Sequence, residues 1–199
     1  MSYADFTLSR LVKQFSLTIE ENTDLYGLTP PAAVRPEFQS HLSKTMPLAL
    51  RVSTEKARSE FIIAPILAEV WLLAGQQIGL HSGVDFSVDP AVGLTGICDY
   101  IITKSPEQLF VTAPIIVLVE AKNEDMKRGY AQCIAEMLAA QQFNEKEETP
   151  GNKIYGAVTI GNVWKFLEFE GSTVRIDSVD YYVEDVAKIL GILLHMAAS

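Results

Sequence analysis

Cysteine is scarce in this chain. Its 199 residues include two, Cys98 and Cys133, which rules out a disulfide framework. Both fall inside segments read as regular elements, where a buried free thiol is the plain expectation. Long apolar runs are missing as well. Nothing approaches the ~18 residues that cross a bilayer, so no membrane partner is expected. The start, Met1-Ser2-Tyr3-Ala4-Asp5, has no basic segment followed by an apolar one, so no secretory signal is expected and a reducing cytoplasm is the expected compartment. His41, His81 and His195 are scattered, and neither cysteine has zinc-ligand spacing. There is no Gly-rich phosphate loop followed by Lys-Ser or Lys-Thr, no Gly-x-Ser-x-Gly elbow, no repeat and no low-complexity stretch. Nicotinamide, flavin and haem chemistry therefore have no residues to stand on. Positive charge is in deficit: the formal net charge is −9 and the pI about 4.8. Phosphate contacts need Lys and Arg, so this balance argues against a broad nucleic-acid-binding surface. It leaves room for a locally basic cleft on an acidic body.

What is present is enough for a real core. Hydrophobic residues make up 48% of the chain and charged ones 21%, the profile of an ordinary globular domain. Residues 1–52 read as a helical N-terminal extension, with Leu8, Leu11, Val12 and Phe15 at helical spacing. Pro30-Pro31 and Pro36 then break the pattern into a loop. Residues 53–199 read as an α/β domain, expected to be continuous with that extension in one compact unit. A helix is expected over 53–73, kinked at Pro65. Strands follow at 84–88, 93–103 and 113–122, and then an Ala-rich helix at 127–143. Pro150-Gly151-Asn152 marks a loop. A hairpin at 154–160 and 163–170 turns on Gly161-Asn162, a short strand covers 173–176, and a last helix covers 183–196. Helix, three strands, helix, strand is an α/β order with a mixed sheet.

Two strand positions stand out. Asp99 is a lone acid among Ile97, Tyr100, Ile101 and Ile102, and an acid in such a setting needs a partner. Ile115 to Val119 is continuously apolar and ends in Glu120-Ala121-Lys122. Side chains alternate faces along a strand, so Glu120 and Lys122 point the same way. Between the two acids there is room for one strand, a turn and a return, so adjacent antiparallel strands would bring them side by side. Two carboxylates suffice for Mg2+, which keeps several waters.

Asp99 followed by Glu120-Ala121-Lys122 resembles the active-site signature of the PD-(D/E)XK nuclease superfamily. The element order over about 53–170 matches the restriction-endonuclease-like fold, a mixed sheet flanked by helices. Tyr155-Gly156-Ala157-Val158-Thr159 with Trp164-Lys165-Phe166 resembles the hairpin in nuclease domains of restriction-enzyme motor subunits. The whole chain is also similar to a bacterial, often cyanobacterial, family of uncharacterised proteins. One departure is that Cys98, not proline, precedes Asp99. The resemblance implies Mg2+ or Mn2+ held by Asp99, Glu120 and the Ala121 carbonyl, with Lys122 positioning the attacking water. It implies a glutamine near the site in the following helix, which Gln132 fits, and a glutamate from the helix before the sheet, which Glu60 fits. Glu60 shares a helical stripe with Ile63, Ala64, Leu67 and Trp71, but it also stands four residues from Lys56 and so could simply pair with it. Glu136 is expected to be solvated. Lys127, Arg128, Arg51, Lys56 and Arg58 are candidates for phosphate contact. The implied function is Mg2+-dependent hydrolysis of DNA phosphodiesters. The alternative is a retired nuclease fold that binds DNA or a protein partner, and a homodimer is also open.

Overall fold

A computed structural model describes residues 1–122, 126–149 and 153–199; the expected loop at Pro150-Gly151-Asn152 lies outside them. Among the described residues, eight strands form one sheet: β1 Thr18–Thr23, β2 Gly79–Asp85, β3 Ile97–Thr103, β4 Ile115–Ala121, β5 Ile154–Thr159, β6 Val163–Glu170, β7 Thr173–Asp177 and β8 Tyr181–Tyr182. Their order is β1-β7-β6-β5-β4-β3-β2, with β8 beside β6. Strands β2, β3 and β4 are antiparallel neighbours, β4 and β5 are parallel, and β5, β6 and β7 are antiparallel again. The helices are α1 Leu8–Phe15, α2 Pro36–Val52, α3 Glu55–Arg58, α4 Ala64–Leu73, α5 Met126–Lys146 and α6 Val186–Ala198. The protein is thus an α/β mixed sheet flanked by helices. None of those helices is long and apolar enough to cross a membrane.

Each face of the sheet has its own apolar core. Val117, Val119 and Ala121 belong to the core shared with α2, α4 and α6, and Ile115 and Leu118 to the core shared with α1 and α5. A strand covered on both sides reads as an unbroken apolar run, which is why β4 shows so plainly in the sequence. Helix α5 crosses the second face, and its far end is tied down by Asn144. That buried side chain accepts from the Ile115 N–H and donates to the Ile115 carbonyl, both at 2.8 Å. Two glycines let α5 come close. A Cβ at Gly129 would stand 2.5 Å from Val158 Cγ1 and 3.1 Å from Lys122 Cγ, and one at Gly156 would stand 2.7 Å from Met137 Sδ and 2.8 Å from Cys133 Sγ. Both cysteines are buried free thiols.

Three expectations need correction. Residues 1–52 are more than a helical extension. Thr18–Thr23 joins the sheet edge parallel to β7, while Leu11 packs in one core and Phe38 and Leu42 in the other. Pro36 does not interrupt structure but opens the 17-residue α2, because proline's missing N–H costs nothing in a first helical turn. The helix expected over 53–73 departs from α geometry before Pro65, in a π-helical turn at Ser59–Ile63. Pro65 has no N–H to offer the Phe61 carbonyl four residues back. The Thr45 hydroxyl donates to that carbonyl instead, at 2.9 Å.

Candidate active site

The site forms where β3 and β4 end beside α5. The antiparallel ladder pairs Ile101 with Leu118 and Tyr100 with Val119, and one step further Asp99 comes beside Glu120. There the Asp99 carboxylate accepts the Ala121 N–H at 2.9 Å. The Lys122 N–H donates to the Thr159 carbonyl at 2.8 Å, so the lysine backbone is still held by β5. Glu120 shares the face of Leu118 and points toward α5.

On that face four side chains close a ring. The Lys122 ammonium donates to Glu120 Oε1 and, at 3.0 Å, to Gln132 Oε1. The Gln132 amide nitrogen donates to Glu136 Oε1 at 3.2 Å. Glu136 and Glu120 stand close enough to perturb each other's carboxyl, which completes the ring. Both glutamates are 0% exposed, and neither Oε2 has an ammonium, amide or hydroxyl donor. A proton held between the two carboxyls satisfies both. Burial, reinforced by Asp99 and opposed by Lys122, pushes Glu120 up to about 7. Burial and the Glu120 charge raise Glu136 well above the carboxylate range. Burial also raises Asp99, against the Ala121 N–H and Lys122. For Lys122 burial pulls down, but the Glu120 charge and hydrogen bond outweigh it and the net direction is up. The ammonium is therefore the stable cation of the group.

Asp99, Glu120, Lys122 and Gln132 are thus brought together. Glu60 is not. Its side chain is 50% exposed and pairs with Lys56 at 3.0 Å. The physical reason is the π-helical turn, which takes one more residue than an α turn and rotates Glu60 off the stripe of Ile63 and Leu67. Ser59 faces the sheet there instead, its hydroxyl 2.6 Å from that of Tyr100. Two acids that sequence reasoning passed over do belong here. Glu136, expected in solvent, is fully buried; its signal was being the single charge in an otherwise uncharged run from 131 to 143. Glu55, in the first turn of α3, raises both Asp99 and Lys122 through its charge.

Lys127 and Arg128 are exposed and line a groove with Asp5, Phe6 and Leu8. Arg51 and Lys56 are exposed. Arg58 is engaged by the protein, donating to the Ile160 carbonyl at 2.8 Å.

The donors present are hard oxygens, which suit Mg2+ or Mn2+ and not a soft metal. Glu120 Oε2, like Glu136 Oε2, is a buried oxygen with no ammonium, amide or hydroxyl donor, so the residues fit such an ion once the proton between the two carboxyls is given up, with Asp99, Glu120 and the Ala121 carbonyl to hold it. Among the described residues no three His, Cys, Asp or Glu side chains form a ready-made metal cluster; one or two carboxylates are what Mg2+ takes. The chain matches no protein-family model and no curated protein sequence.

Proposed function

We propose that this protein is a Mg2+-dependent nuclease of the restriction-endonuclease-like fold that hydrolyses DNA phosphodiester bonds. The observation that supports this reading is the convergence of Asp99, Glu120 and Lys122 at the ends of two adjacent strands, with the Ala121 N–H fixing the Asp99 carboxylate. A divalent cation held by Asp99, Glu120 and the Ala121 carbonyl would supply the positive charge that activates water and offsets charge on the phosphate. Lys122 brings a fixed ammonium to the same place, where it orients the incoming water and faces the phosphate anion. Gln132 keeps that ammonium from swinging away. Mn2+ has the same ligand preferences and would serve in its place.

A second reading, a nuclease fold retired to binding DNA or a protein partner, is favoured by the complete burial of Glu120 and by the net charge of −9. The deciding experiment incubates pure protein with duplex, single-stranded and branched DNA and with RNA, with and without Mg2+ or Mn2+, beside Asp99→Ala and Lys122→Ala. Cleavage should require the metal and fall roughly a hundredfold or more in both variants, with thermal melts showing that both still fold. No cleavage of any nucleic acid, together with no metal binding in titration, would decide for the retired domain.

A further inference from the structure

We propose that Glu136 is a positioning residue: it holds the Gln132 side chain so that the amide oxygen, and not the amide nitrogen, meets the Lys122 ammonium. The catalytic purpose of this rests on the nuclease reading above; the geometry does not.

Donor and acceptor counts fix the orientation of the amide. An ammonium only donates, and Glu136 Oε1 only accepts, since any proton shared with Glu120 sits on the other oxygen. A glutamine amide set between them has one orientation in which both contacts are satisfied, and that orientation is observed: oxygen to Lys122 at 3.0 Å, nitrogen to Glu136 at 3.2 Å. Turned over, the amide would place its nitrogen against the ammonium and its oxygen against the carboxylate, which is wrong at both ends. Residues 132 and 136 are one helical turn apart, so α5 presents them on one face. Take Glu136 away and nothing in the ring selects the amide orientation except Lys122 itself, a half-buried flexible side chain that can leave.

The cost of the arrangement points the same way. Glu136 is 0% exposed, inside a helix whose residues from 133 to 140 are all buried. An apolar residue of the same size would suit that setting better. A carboxylate kept there at the expense of stability has a polar task, and its side-chain neighbours are Gln132 and Glu120. The effect reaches the reacting region through Lys122, whose other bond is to Glu120. Glu136 thus closes the ring from the rear and touches no substrate.

Four variants test this: Glu136→Gln, Glu136→Met, Gln132→Met, and the Gln132→Met/Glu136→Met double. Glutamine at 136 can accept from Gln132 through its oxygen and donate to Glu120 through its nitrogen, so it should rescue; methionine should not. The first readout needs no metal and no substrate. A hydrogen-bonded, shielded ammonium exchanges slowly with water and gives a Lys122 side-chain signal in nitrogen–proton NMR. We expect it in the wild type and in Glu136→Gln, and its loss in Glu136→Met and Gln132→Met. The second readout is cleavage. kcat should fall roughly tenfold or more in Glu136→Met with KM unchanged, stay within about threefold in Glu136→Gln, and fall no further in the double variant than in Gln132→Met alone, since the two act in series. Thermal melts accompany all four. If Glu136→Met fails to fold, Glu136→Gln and Gln132→Met still decide. The proposal is overturned if the ammonium signal survives in Gln132→Met or in a folded Glu136→Met, if Glu136→Gln loses it, or if the double variant is additive. Wild type that cuts nothing while the signal follows the expected pattern would sink the nuclease reading and leave the positioning role standing.

Discussion

Metal-free protein taken from about pH 5 to about pH 8 should lose about 2.5 kcal/mol of folding stability through the Glu120–Glu136 pair alone. In the unfolded chain the Glu120 carboxyl has its ordinary value of 4.5; in the fold burial and the Asp99 charge push it up to about 7. The folded state therefore binds the proton more tightly than the unfolded one. The stabilisation is fully present below about 4.5 and is lost as pH rises through about 7. At about 1.4 kcal/mol per pH unit of separation, the full gap is worth about 3.5 kcal/mol, of which about 2.5 kcal/mol is lost between about pH 5 and about pH 8. Glu136, raised by burial and by the Glu120 charge, acts in the same direction, and the two titrate as a pair. The assay is urea unfolding in the presence of a chelator, at half-unit steps of pH, for wild type and Glu136→Gln. The variant needs no shared proton, because its amide nitrogen can donate to Glu120. Its stability should fall much less over the same window, and subtracting the two curves removes the contribution of every other titrating group. Parallel curves for the two proteins would refute the shared-proton account of the ring.

Asn144→Ala should cost about 3 kcal/mol in the same unfolding assay, because it strips the buried Ile115 N–H and carbonyl of their partner; a loss below about 1 kcal/mol would mean that water replaces the amide. Glu60→Ala should leave cleavage within about twofold and stability within about 0.5 kcal/mol, since it removes one exposed i,i+4 ion pair with Lys56. A large loss of cleavage would return Glu60 to the site.

The parts legible in the sequence were those in which burial leaves a one-dimensional trace. β3 and β4 are covered on both faces, so their apolar runs stand out, and so do the acids and the lysine that interrupt them. The β5–β6 turn was legible because Gly161 takes a positive φ of 89°, a conformation glycine adopts at little cost. β1 left no trace: Thr-Ile-Glu-Glu-Asn-Thr lies at the sheet edge and is mostly exposed, so no alternation marks it. Helix α2 was obscured because a proline at a first turn and a proline that stops a helix look alike. Glu60 misled for a subtler reason. Its stripe assumed 3.6 residues per turn, and one wide turn is enough to shift the phase. Glu136 was passed over because an acid on a helix is usually in water. The clue against that was its neighbours, not the residue itself: α5 has no polar face around that position.

The approach of α5 to the sheet bears on how such a site would be lost. Gln132 and Glu136 reach Lys122 and Glu120 because Gly129 and Gly156 have no side chains to hold the layers apart. Adding one methyl group at either position would force β5 or its neighbours to yield, and would move two members of the ring away from the other two. Every charged residue would survive in the sequence, and a search for the acid–lysine motif would still report it whole. The letters of the motif record only which groups are present. Whether they meet is written elsewhere, in two residues that carry no chemistry and that a catalogue of reactive side chains would skip.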